Sequence, residues 1–268
     1  MPTFKPVTLI TGASSGIGAA LARVFAENGH EIALAARREA GLATLADEIA
    51  TAGRRRPHVL SIDLARADAP SRLSRDLRGR GLETEIVVNS AGFGLLGRAA
   101  ELDRDEQLAM IDLNIRALTD LSLRFIESMA RHRGGVLNVA SIAGFMPAPG
   151  MAVYHATKAY EVAFSEALHR ELAPMGVRVT TLCSGPVETE FQRRAGLGRG
   201  QYPRGLARAA DRVARDGYRG FVNGQRLVIP GFGNKLVVGL ARFLPRAVVL
   251  RTSERILNHP TTRAGADR

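Results

Sequence analysis

The sequence predicts an α/β protein: a single doubly wound parallel sheet of about seven strands with helices on both faces. Three observations lead there. Short apolar runs alternate with amphipathic helical stretches over most of the 268 residues. Residues 32–36 form an unbroken apolar run, as in a strand covered on both faces. A glycine-rich turn lies directly between the first run and the first helix.

Residues 7–10 (Val-Thr-Leu-Ile) form the first strand. A helix follows over about 16–28, with Gly29 placed to end it. Residues 32–36 are a second buried strand, and a helix over 39–52 is closed by Gly53. Residues 59–62 are the third strand, 69–78 a helix and 85–89 the fourth strand. The stretch 103–131 reads as one long helix, with Leu108, Ile111, Ile115 and Leu118 at helical spacing. Residues 136–140 are the fifth strand. A helix over 151–173 stops at Pro174 and Gly176. Residues 177–182 and 227–229 complete the sheet.

The formal charge is +11, and the lysines are Lys5, Lys158 and Lys235 alone, so arginine supplies 34 of 37 basic residues. An arginine-rich surface, an anionic ligand or an anionic membrane would each fit that excess. No nucleic-acid-binding module is present. Cys183 is the sole cysteine, so no intrachain disulfide forms. The N-terminus has no secretory apolar run, and no stretch reaches a membrane-spanning length. A cytoplasmic protein is the expectation.

Thr11-Gly12-Ala13-Ser14-Ser15-Gly16-Ile17-Gly18 joins the first strand to the first helix. Glycines there let the backbone approach a pyrophosphate, which a helix N-terminus favours electrostatically. The second strand ends in Ala36-Arg37-Arg38, without the carboxylate that usually takes the ribose hydroxyls of NAD. An arginine can instead grip a 2′-phosphate. NADP(H) is therefore the expected cofactor, with NAD(H) possible, and no metal is implied. Asp63, after the third strand, is placed for an adenine amino group or as a plain turn residue. Tyr154 and Lys158 are four residues apart, on one helix face. A cation beside a phenol favours the phenolate and lowers its pKa towards neutrality.

Taken together, the chain resembles the short-chain dehydrogenase/reductases, in a bacterial branch with an extended C-terminal tail. The resemblance rests on Gly12, Gly16 and Gly18; Asp63; Asn89-Ser90-Ala91-Gly92; Asn114; Ser141; Tyr154 and Lys158; and Gly185-Pro186-Val187-Glu188-Thr189. It covers about residues 5–190 and implies a Rossmann-like fold. By resemblance, Tyr154 exchanges a proton with the substrate oxygen, Ser141 holds that oxygen, and Lys158 tunes Tyr154 and binds the nicotinamide ribose. Asn114 supports a water linked to Lys158. The cofactor site implied comprises Gly12, Ser14, Ser15, Gly16, Ile17, Gly18, Arg37, Arg38, Asp63, Leu64, Asn89, Ala91, Gly92, Tyr154, Lys158, Gly185, Val187 and Thr189. Two positions depart from the family: Ser90, often asparagine, and Ser184, often proline.

The reading is an NADP-dependent reductase or dehydrogenase interconverting a ketone or aldehyde and an alcohol. A cofactor-binding regulator or membrane-peripheral protein with little turnover is the alternative. Residues 1–230 form the dinucleotide-binding and catalytic domain, with a variable insertion near 188–215. Residues 231–268 are an amphipathic extension packed on it, interrupted at Pro245. Its apolar side chains with a basic rim could touch a membrane surface, but packing on the substrate lobe or a partner subunit is preferred. Phe93, Phe145, Met146, Pro147 and residues of 188–205 should line a pocket for a hydrophobic small molecule. Ala156, Ala159, Ala163 and Ala167 would permit close helix approach in a homodimer or homotetramer.

Overall fold

The computed structural model describes residues 4–187, 189–196 and 205–258. Its strands are β1 (Lys5–Thr11), β2 (Ile32–Ala36), β3 (His58–Ser61), β4 (Leu82–Asn89), β5 (Gly135–Ser141), β6 (Arg178–Ser184) and β7 (Leu227–Val228). They form one sheet in the order β3-β2-β1-β4-β5-β6-β7, and every neighbouring pair is parallel. The expected α/β architecture is present. All five β2 residues are buried, as are most of β5 and β6. That explains the unbroken apolar run of β2, because helices cover both faces.

The helices α1 (Gly16–Glu27), α2 (Glu39–Thr51) and α3 (Ala69–Gly79) follow β1, β2 and β3 in turn. One core layer packs α1 and α2 residues Leu21, Phe25, Leu42 and Ile49 against Ile10, Leu34 and Val88. The opposite layer sets Leu73, Leu77, Leu121 and Met129 against Leu9, Val87 and Val136. Phe25 also meets Tyr218 edge-on, with ring centroids 4.8 Å apart. This contact ties α1 to α9 (Ala210–Val222) on the first face.

The stretch expected as one helix is divided. It comprises α4 (Arg104–Ile111), a π-helical segment at Asp112–Ala117, α5 (Leu118–Arg124) and α6 (Ile126–His132). The cause is tertiary. Asn114 in the π segment is fully buried, and its amide donates to the Phe93 carbonyl (3.0 Å) and to the Thr157 hydroxyl (3.1 Å). Its Oδ1 accepts from the Phe93 N–H at 3.2 Å. The wider turn accommodates these bonds, as π bulges at functional sites do. A second break falls at Phe125, where φ −110° and ψ 14° leave the helical region. Leu108 and Ile111, two of the apolar residues at helical spacing, lie exposed.

After β5 comes α7 (Ala152–Leu172), a 21-residue helix on the second face. The short α8 (Glu190–Ala195) precedes α9, and the chain ends in α10 (Phe232–Phe243) and α11 (Arg246–Asn258). The break between the last two helices is at Leu244-Pro245, because proline cannot supply the N–H that a continuous helix needs. Leu257 packs beside Met110 and Met151, and the Ser253 hydroxyl donates to the Pro147 carbonyl at 3.1 Å. The outer side of α10 leaves Phe232 and Phe243 81% and 88% exposed. Among the described residues, no helix is long and apolar enough to cross a membrane.

Candidate active site

Strand order reverses between β1 and β4, the place where open α/β sheets bind ligands beyond their strand ends. A cavity of about 860 Å³ opens there. It runs from Arg37 and Asp63, past Ser14–Gly18, to Ser141, Tyr154 and Lys158.

The first wall is the glycine turn. Gly12 adopts φ +64°, and a Cβ there would lie 2.7 Å from the Ser90 carbonyl oxygen. A Cβ on Gly18 would lie 2.5 Å from the Gly12 carbonyl oxygen. Backbone thus packs on backbone, and α1 begins at the cavity floor. The Thr11 hydroxyl locks the turn to β4: it accepts from the Ser90 and Ala91 N–H groups at 3.0 and 3.1 Å. The departure at Ser90 therefore leaves the loop's backbone anchored. Such a cradle before a helix N-terminus fits a dinucleotide pyrophosphate.

The sequence-predicted cofactor residues divide into two groups. Gly12, Ser14, Ser15, Gly16, Ile17, Gly18, Arg37, Arg38, Asp63, Leu64, Ala91, Gly92, Gly185, Val187 and Thr189 all line the cavity, with Tyr154 and Lys158. Arg38 is already engaged: it pairs with Glu190 and donates to Ser14 (3.3 Å) and Ser15 (3.1 Å). Asp63 has a turn role as well, its Oδ1 accepting from the Ala65 N–H at 3.1 Å. Asn89 is outside the cavity lining. Its side chain donates into the core, to Ser122 (3.0 Å) and Asn138 (2.9 Å), because it sits on the strand's inward side. Glu188 lies outside the described residues.

At the catalytic end, β5 delivers Ser141 at its carboxyl terminus, and the first turns of α7 deliver Tyr154 and Lys158. The Ser141 hydroxyl donates to the Ser184 carbonyl at 3.3 Å, accepts from the Ala143 N–H at 3.1 Å, and lies near enough to the Tyr154 phenol to favour its ionised form. The family's frequent proline position thus contributes a carbonyl here. Tyr154 is buried, which pushes its phenol well above the ordinary range; Ser141 pulls it down, and the Glu161 carboxylate raises it further. The expectation that the neighbouring lysine lowers the phenol meets an opposing balance. Lys158 Nζ lies 5.9 Å from the Tyr154 ring centroid, and it donates to both Glu161 oxygens at 2.9 Å and to the Val139 carbonyl at 3.1 Å. Asn114 does not line the cavity, but its Oδ1 and Lys158 Nζ approach the same face of Gly92.

Of the expected substrate wall, Phe93 and Met146 line the cavity. Phe145 packs instead against Ala140, Val162 and Cys183, and Pro147 serves through its carbonyl. From 188–205, Thr189–Gln192 and Arg194 contribute, while 197–204 lie outside the described residues. Sequence reasoning missed the outer wall: Val237 of α10 and Ser253, Ile256 and Leu257 of α11 reach the cavity. Arg194, inside the expected stretch, has its guanidinium 4.2 Å over the Phe93 ring. Burial, then repulsion from Arg37, holds the Arg194 guanidinium below its usual range.

The pattern of the short chain dehydrogenase family matches residues 6–199. Sulfoacetaldehyde reductase 2 of Chromohalobacter salexigens is 36% identical over 188 residues, covering 69% of this chain and 74% of that protein. A short-chain dehydrogenase from Sphingobium yanoikuyae, solved in complex with NADPH, superposes with a TM-score of 0.77 at 30% identity, covering 90% of this chain and 97% of that one. The bulky-bulky ketone specific alcohol dehydrogenase from Comamonas testosteroni gives 0.73 at 26% identity, over 91% and 97%. The chain belongs to the short-chain dehydrogenase/reductase family and is a nicotinamide-dependent oxidoreductase acting on a small molecule.

Proposed function

We propose that the protein is an NADP(H)-dependent carbonyl reductase acting on an apolar ketone or aldehyde, and reversibly on the corresponding alcohol. The observation that carries this reading is the meeting of Ser141, Tyr154 and Lys158 in the cavity that the glycine turn opens. When bound, the nicotinamide supplies the hydride to the carbonyl carbon. Ser141 holds the substrate oxygen and Tyr154 gives it a proton, so the developing alkoxide never carries a full charge. Lys158 holds the nicotinamide ribose and backs Tyr154; Asn114 braces the loop at Phe93 behind them. Phe93, Met146, Met151 and Leu257 favour an apolar substrate body.

The cofactor preference rests on charge at the β2 end. Arg37 is exposed there and, among the described residues, has no carboxylate partner. Arg194 lies close enough to feel its charge. Two guanidinium groups at this rim suit a 2′-phosphate better than a ribose hydroxyl. Arg37→Ala is expected to weaken NADPH by roughly 10–100-fold, the worth of one charge-assisted hydrogen bond. NADH should change by less than about twofold. Calorimetric titration of both nucleotides checks this, and equal losses would overturn the assignment.

The protein is also proposed to assemble with itself. Ala156, Ala159, Tyr160 and Ala163 of α7 and Leu108 and Ile111 of α4 leave an exposed face of small and apolar side chains. Ala159→Arg with Ala163→Arg should reduce the mass in solution to that of one chain, as read by light scattering. An unchanged oligomer would place the interface elsewhere.

A further inference from the structure

The helix that carries Tyr154 and Lys158 also carries a buried acid with no part in the mechanism above. Glu161 lies three residues beyond Lys158 and is 1% exposed. Both its carboxylate oxygens accept from Lys158 Nζ at 2.9 Å. The Val139 carbonyl accepts from the same ammonium at 3.1 Å, and because two oxygens of one carboxylate can share a single N–H, a donor remains for the ribose in the proposed complex.

A buried carboxylate is costly unless it has a specific partner. Its surroundings offer one. On α7 itself it faces Lys158, with Tyr154 a further turn away. On β6 it faces Cys183, fully buried, whose thiol is pushed up first by burial and then by Glu161. On β5 the Val139 carbonyl accepts from the same lysine ammonium. The next acid along the helix, Glu166, is turned away towards Arg226 at 3.2 Å. The Glu161 carboxyl is itself raised by burial and held back by the Lys158 charge. The pair is also held from behind: the Ser165 hydroxyl donates to the Glu161 carbonyl at 2.6 Å and accepts from Asn138 at 2.8 Å, and Asn138 accepts from Asn89 at 2.9 Å. The asparagine expected at the cofactor therefore ends a polar chain that fixes the α7 backbone under the lysine.

We propose that Glu161 is a positioning residue that orients Lys158 and opposes its charge, and so sets the pH at which Tyr154 surrenders its proton. An unopposed ammonium would favour the phenolate. With Glu161 ionised behind it, the ammonium's field at the phenol is diminished and Tyr154 stays protonated to higher pH. A protonated tyrosine is the form that donates to a carbonyl oxygen, so Glu161 widens the pH range of reduction and narrows that of alcohol oxidation. The inference rests on Tyr154 being the proton donor.

Its test reads Tyr154 without turnover. The full chain is titrated upward in pH and phenolate absorbance recorded, with Y154F supplying the signal of the other tyrosines among the four in the sequence. E161Q should lower the Tyr154 midpoint by about one pH unit or more, the usual effect of deleting a nearby like charge. E161D, which retains the charge, should stay near the wild-type value. E161V gives the same reading if glutamine is not tolerated, because it too removes the carboxylate charge. An unchanged midpoint in a folded E161Q or E161V protein that binds NADPH normally overturns the proposal. Full activity in Y154F would instead overturn the assignment of the proton donor, and the two failures are separate measurements.

Discussion

Tyr154→Phe is expected to lower turnover by roughly 10³-fold, within the span that a positioned general acid contributes. NADPH affinity should remain within about twofold of the wild type, because the change deletes one hydroxyl and leaves the glycine turn and arginines in place. The side chain is buried at the cavity wall, where its ring lies 5.4 Å from that of Phe191. Phenylalanine keeps this packing, so a folded protein with bound cofactor and almost no turnover is the anticipated result. Nucleotide titration and single-turnover kinetics on a panel of apolar ketones would separate binding from chemistry. Retention of full activity would require another proton donor.

Gly18→Val should have the second largest effect. The added Cβ would fall 2.5 Å from the Gly12 carbonyl oxygen and 2.8 Å from its carbon, and both are backbone atoms in a strained turn. Gly12 cannot retreat, since it is packed equally tightly on Ser90 and Ala91. The turn must open or α1 must shift, at a cost of about 1–3 kcal/mol. That corresponds to a fall of roughly 3–10 °C in Tm. Because the same atoms cradle the pyrophosphate in the proposed complex, NADPH should weaken by at least about tenfold. Thermal melts with and without NADPH check both parts. A variant that melts lower yet binds NADPH unchanged would move the pyrophosphate away from this turn.

The strands were legible because a sheet covered on both faces demands mostly apolar runs: residues 32–36 are wholly apolar, and 136–140 are broken only by Asn138. The cavity was legible at the glycine turn because its chemistry is local: a tight turn, a helix start, no side chain in the way. What escaped the sequence depended on partners distant in the chain. The division of residues 103–131 comes from Asn114 bonding Phe93 and Thr157, which periodicity cannot register. Asn89 sits beside cavity residues, yet a strand turns alternate side chains to opposite faces, and Asn89 faces Ser122 and Asn138. Glu161 resembles an ordinary solvated partner for a lysine one turn away. A signal was present, since positions 154, 157, 158, 161 and 165 share one stripe and two of them already implied burial. The outer wall was not legible, because Ser253 and Leu257 reach the cavity only after the chain reverses near Pro245.

That outer wall has a consequence for how the protein can diversify. The residues proposed to transfer the proton sit on β5 and α7, which buried hydrogen bonds hold in place. In that reading, the surface that would meet the substrate's far end comes from the last two helices. Asn234 of α10 is seated on Gly185 beside the cofactor cavity and ties their base down by donating to the Pro230 carbonyl at 2.8 Å. Selection acting on residues 246–257 can therefore reshape which molecules are accepted while the reacting atoms keep their places. In the proposed enzyme the tail would act as an interchangeable selector on a fixed chemical engine, and relatives that differ mainly beyond β7 should differ in what they accept rather than in how they react.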